Sequence, residues 1–153
     1  MNDAELQGLA AQALNLAKRD IEHGTGFAFL FAAYHKDEGM MRMSSIERII
    51  ARKLGKNWLD DDVAKDIAYG LLRMAILTLP PDAVIIVSGA TGFEPTEAGL
   101  ALPEEKQEEI RRGDLHQAVR DGYAKPHNVL VAIAQTPERV CSAVQDHDFS
   151  NPV

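Results

Sequence analysis

Cysteine occurs once in the 153 residues, at Cys141. A lone thiol excludes an internal disulfide framework and a multi-thiolate zinc site, and it suits a reducing compartment. In the alternating run RVCSAVQ it reads as a small apolar side chain. Aromatic residues are also scarce, at 6%. Basic residues are outnumbered, 16 against 23 acidic, for a net charge of −7. Such a surface has no general attraction for a phosphate backbone, so direct nucleic-acid binding is not expected. The longest wholly apolar stretch, Phe27 to Tyr34, spans eight residues. A membrane-spanning helix needs roughly 20. The opening MNDAELQGLAAQALNLAKRD lacks an uninterrupted apolar segment of the secretory kind. The expectation is a cytoplasmic protein without a membrane partner.

What is present suffices for one domain. Hydrophobic residues make up 46% and charged residues 25%, ordinary values for a globular chain of this length. The reading is a single domain over 1–146, with an irregular insert at 89–126 and a flexible tail at 147–153.

Along residues 3–22 the apolar positions Leu6, Leu9, Ala10, Ala13, Leu14, Ala17 and Ile21 recur at helical spacing, with Asn2 or Asp3 as cap and HGTG as stop. GFAFLFAAYH then has strand chemistry with both faces apolar, and KDEG turns it toward a return strand at MMRMSS. Ser44 or Ser45 can cap a short helix, IERIIARKL, that Gly55 ends. Asp60 to Asp62 cap a second long helix whose stripe reads Val63, Ile67, Leu71, Met74 and Thr78, and Pro80 and Pro81 stop it after Leu79. AVIIVS is a short buried strand emptying into a glycine turn. PEEKQEEIRR is a polar helix, and NVLVAIAQTPERVCSAVQ is a closing hairpin. Strands in hairpins, rather than alternating with helices, predict an α+β fold: a mostly antiparallel sheet of about five strands, two hairpins plus one strand, packed by two long helices.

GFAFLF after an amino-terminal helix, DAVIIVSGATG after another, and the final NVLVAIAQTPER resemble, in element order, an uncharacterised type of small bacterial and phage-encoded α+β protein. The resemblance implies a fold and no activity.

Several chemistries can be weighed against the residues. After AVIIVS, Gly89 and Gly92 occupy the first two positions of a dinucleotide fingerprint, but Pro95 stands at the third. No Gly-Lys-Ser, Gly-Lys-Thr or Tyr-x-x-x-Lys pattern follows. No cofactor is expected. His23, His35, His116, His127 and His147 are scattered singly, without metal-ligand spacing, so no metal is expected. Phe27, Phe29 and Phe31 lack the basic flanks of a base-stacking strand and read as core.

The insert carries the remaining interest. Its five glycines and three prolines mark a long irregular segment of the kind that often binds something. The leading expectation is a non-catalytic binding protein contacting a protein or small molecule through 89–126, with Gly89, Gly92, Phe93, Glu94 and Tyr123 in the surface. The alternative is a hydrolase or transferase using Asp114, His116 and His127, where a carboxylate orients an imidazole. A third reading is an acidic phage or mobile-element inhibitor of a nucleic-acid-binding protein. Either a monomer or a homodimer is compatible, with Trp58 and the exposed edge of a hairpin as dimer contacts.

Overall fold

The computed structural model describes residues 1–23, 29–55, 58–78 and 80–146. The fold is α+β with a five-stranded antiparallel sheet. Its elements are α1 (Asp3–Glu22), β1 (Phe29–His35), β2 (Gly39–Arg42), α2 (Ser44–Leu54), α3 (Asp62–Thr78), β3 (Ala83–Pro95), α4 (Glu97–Leu100), α5 (Glu104–Arg112), α6 (Leu115–Arg120), β4 (Ala124–Gln135) and β5 (Val140–Asp146). The strand order is β2-β1-β3-β4-β5, so β3 lies in the middle.

Strand alternation divides the sheet's residues between two cores. One face carries Leu30, Ala32, Ile85, Val87, Leu130, Ala132 and Ala134 against α1. The seven apolar positions predicted for α1 are its buried ones, and Ala10, Ala13 and Ala17 are fully inaccessible. Alanine on both surfaces lets helix and sheet approach closely. The helix starts as expected, with the Asn2 side chain accepting a 2.8 Å bond from the Glu5 amide.

The other face places Phe29 and Phe31 against Ile50 of α2, Trp58, and Ala64, Ala68 and Leu72 of α3. Trp58 meets Phe29 edge-on at 4.9 Å between ring centres and is buried, which removes it as a dimer contact. The stripe that α3 buries is also not the one its bulky residues suggest. Ala64, Ala68 and Leu72 face inward, because three large rings already fill the gap above the sheet and only a helix face of small residues fits over them. Asp61 caps α3, its Oδ1 accepting from the Val63 and Ala64 amides.

A buried ionic clasp joins the layers. Glu47, in the first turn of α2, accepts 2.7–3.2 Å bonds from Arg42 and a 3.2 Å bond from the Phe31 amide. It thereby continues the β1 ladder where β2 stops. Arg42 also reaches Asp20 of α1 at 2.5 Å. The Glu47 bonds, and then those to Asp20, hold the Arg42 guanidinium above its ordinary pKa despite partial burial.

Other local expectations change. Met43 occupies the N-cap of α2 without a side-chain bond, and Ser44 and Ser45 lie inside the first turn; Glu47 is committed to Arg42 and the β1 ladder rather than to a capping box. Gly55 does close that helix, at φ +84°, a conformation costly for any residue with a Cβ. The return strand is Gly39–Arg42 rather than MMRMSS. The GTG of the expected α1 stop, Phe27 and Ala28, the α3 boundary at Leu79, His147 and the tail at 147–153 lie outside the described residues.

Candidate functional site

The segment 89–126 is not an irregular loop. β3 does not end at Ser88: it runs on through Gly89, Gly92 and Phe93 to Pro95, paired without interruption with β4 from Val84↔Gln135 to Pro95↔Ala124. Among the described residues, β1 accompanies β3 only as far as Ser88, and β5 accompanies β4 only from Val129 onward. Among the described residues, 89–95 and 124–128 therefore pair only with each other, as a two-stranded arm about 23 Å long at strand rise. Gly89 and Gly92 are strand positions opposite Leu130 and His127, not a hinge. The first helix after them, α4, begins only at Glu97, so no helix opens directly from these glycines as it does in a dinucleotide fingerprint.

Three helices close the arm. Thr96 ties both strands: its amide donates to the Tyr123 carbonyl at 3.1 Å, its hydroxyl donates to the Gly122 carbonyl at 2.7 Å, and the hydroxyl oxygen caps α4 through the Gly99 amide. Gly99 is required by proximity, since a Cβ there would fall 2.1 Å from the Tyr123 carbonyl oxygen. Gln107 of α5 donates to the Leu100 and Leu102 carbonyls, locking α5 onto α4. Gly122, at φ +82°, turns the chain back into β4.

Between α5 and α6 lies an open cleft of about 400 Å³, whose lining includes Lys106, Glu109, Asp114, Gln117, Asp121 and Tyr123. A smaller space of about 80 Å³, lined by Phe93, Ile110, Leu115 and Ala124 among others, sits between cap and arm. Residues 94–125 carry eight carboxylates against five cations. Arg111 and Arg112 both bind Glu108, and Lys125 binds Glu94 at 3.2 Å. Glu97, Glu104, Glu105 and Glu109 make no ion pair among the described residues, which leaves the cap acidic toward solvent.

The three residues of the enzymatic reading do not share a centre. Asp114 is the N-cap of α6, its Oδ1 accepting from the His116 and Gln117 amides, and its other oxygen is 3.9 Å from Arg120. It holds the backbone of His116, not the imidazole. The His116 ring stands edge-on to Phe93 at 5.4 Å. The His127 ring lies over Gly92, whose Cβ it would meet at 2.9 Å, and its Nε2 is 3.0 Å from Asp146. Because Gly92 and Phe93 are successive strand residues, the two histidines occupy opposite faces of the arm. The partner of His127, Asp146, comes from β5, and no spacing in the sequence pairs them. Among the described residues, no group of three or more His, Cys, Asp or Glu side chains is arranged to hold a metal ion.

A further cavity lies at the opposite end of the sheet, among residues that no sequence pattern singles out. It encloses about 520 Å³ between Glu5, Tyr34, Lys36, Asp82 and the β4–β5 turn at Thr136 to Arg139. Its wall is set by Asp82, which accepts a 2.6 Å bond from the Lys36 amide, and by Arg139, which binds Asp3 at 2.8 Å. The lining comes from four separate segments, each unremarkable alone. No helix among the described residues is long and apolar enough to cross a membrane. No protein-family model, curated protein or solved structure matches this chain.

Proposed function

We propose that the chain is a non-catalytic binding protein that uses the arm and cap at 89–126 as its contact surface, and that the partner is a protein with a basic face. The observation that carries this reading is the arm itself. Among the described residues a two-stranded extension lies outside the two cores that hold the sheet, yet three helices elaborate its tip. Exposed carboxylates on that tip supply the charge preference, through steering and rim contacts more than through burial. Asp114, Gly89 and Gly92 serve in building the arm, while Tyr123 and the α5–α6 cleft offer a recess for a partner side chain.

The test replaces residues 96–123 by Asn-Gly, which closes a two-residue hairpin between Pro95 and Ala124. Intact and cap-less chains, immobilised at equal density, are compared for the proteins they retain from lysate. Loss of a specific retained protein with the cap is the expected result. Equal retention by both forms overturns the reading. A triple charge reversal of Glu104, Glu105 and Glu109 to Lys is expected to weaken the same retention without unfolding the chain. The acidity of the cap also favours a narrower version, in which the captured partner is a nucleic-acid-binding protein whose basic groove the cap occupies. Competition by short duplex DNA for the retained protein distinguishes it.

A further inference from the structure

The outward face of α3 is a seam. Val63, Ile67, Gly70, Met74 and Leu77 follow one another at intervals of four, three, four and three residues. That is the spacing with which one helix packs along another. The four large side chains are 69%, 49%, 67% and 79% exposed, so the described residues of one chain leave the seam largely uncovered. An aligned apolar strip of this kind marks a contact surface, unlike scattered exposed residues.

Two further observations identify the occupant. Gly70, at the middle of the seam and of the helix, costs about 1 kcal/mol in helix stability relative to alanine. Nothing among the described residues of one chain explains it, since a Cβ there would meet none of their atoms within 4 Å. A second helix crossing at that point would. The seam is also symmetric about Gly70: Val63 and Leu77 are each seven residues away, and Ile67 and Met74 three and four. Asp66 and Arg73 flank the seam on one side, both exposed, with no ion pair among the described residues. In an antiparallel pair of helices, flanking positions of this class meet their own kind across the axis. Asp66 then faces the partner's Arg73, and Arg73 the partner's Asp66. A parallel arrangement sets neither against an opposite charge.

We propose that α3 forms the interface of a homodimer in which two copies of the helix pack antiparallel about a twofold axis at Gly70. The contact is isologous, as twofold dimers require.

Sedimentation velocity on the full chain across a concentration series tests it. A reversible dimer is expected, and a monomer at all concentrations up to about 100 μM overturns the proposal. Ile67→Glu is expected to give a monomer whose thermal transition matches that of the intact chain diluted below its dimer Kd, because the side chain is half exposed in the single chain. A dimer indifferent to Ile67→Glu overturns it, as it would place the contact elsewhere. Asp66→Arg alone should raise Kd about tenfold, and Asp66→Arg with Arg73→Asp should restore it to within about threefold. Failure of the double exchange to restore association overturns the antiparallel arrangement, and a parallel pair or a partner of another kind then takes the seam.

Discussion

Glu47 shows how much one residue can hold. It is the one buried charged side chain among the described residues, and it satisfies both Arg42 and the orphan amide that β1 presents where β2 ends. Glu47→Ala leaves the half-buried guanidinium with Asp20 alone and the Phe31 amide without an acceptor. A loss of about 3 kcal/mol in urea unfolding is expected, with the midpoint moving and the slope unchanged. Gly92 of the arm and Gly99 of α4 differ in what stands opposite them. At Gly99 a Cβ would strike a backbone carbonyl that cannot move without breaking the Thr96–Tyr123 bond. At Gly92 it would meet the His127 ring, which can turn away. Gly99→Ala is therefore expected to cost about 2 kcal/mol and to speed amide exchange through α4, while Gly92→Ala costs under about 1 kcal/mol. Neither role is legible in the sequence, where both are glycines in a glycine-rich stretch. Proximity to Tyr123 and to His127 exists only after the strands pair.

At the scale of elements, periodicity was most informative where one apolar stripe stood alone. The seven positions of α1 are such a stripe, and all seven are buried. The row of alanines within it sets the distance between helix and sheet. Ala13→Leu should force the layers apart and cost about 2 kcal/mol, whereas Ala11→Leu, on the exposed side, should be neutral, as read by thermal unfolding. In α3 two stripes compete, one bulky and one small, and pattern alone favours the bulky one. The rings of Phe29, Phe31 and Trp58 decide for the small one. The arm was missed for a related reason. Glycine and proline weaken strand propensity, so SGATGFEP read as a turn, but an uninterrupted register with β4 outweighs that local preference. Pairing of that kind is non-local and leaves little mark on either strand separately.

Among the described residues, the whole molecule separates a sheet filled on both faces from an arm that shares neither core. Removing 96–123 withdraws one residue, Ala118, from the buried apolar set and touches neither cluster. The cap-less chain should consequently unfold in one cooperative step, with Tm within about 5 °C of the intact chain. A collapse of the transition would show that the cap belongs to the folding unit, and the binding comparison would then lose its control. With α3 paired to a second copy, the two caps become two equivalent contact surfaces on one particle, and avidity for a partner with repeated basic faces follows without any new contact.

The fold class was legible from the sequence alone because hairpin signals, capping residues and stripe periods are local, and the antiparallel character of the sheet follows from them, whereas the strand order β2-β1-β3-β4-β5 does not. Pro95 at the third glycine position of a dinucleotide fingerprint, and the lack of a Gly-Lys-Ser, Gly-Lys-Thr or Tyr-x-x-x-Lys pattern after it, are likewise read from the sequence. Three matters rested on tertiary structure: that 89–95 extends a strand, that His116 and His127 lie on opposite sides of it, and that α3 turns its larger side chains outward. Each depends on which distant residues fill the space opposite, and a side chain's period along its own element carries no information about that.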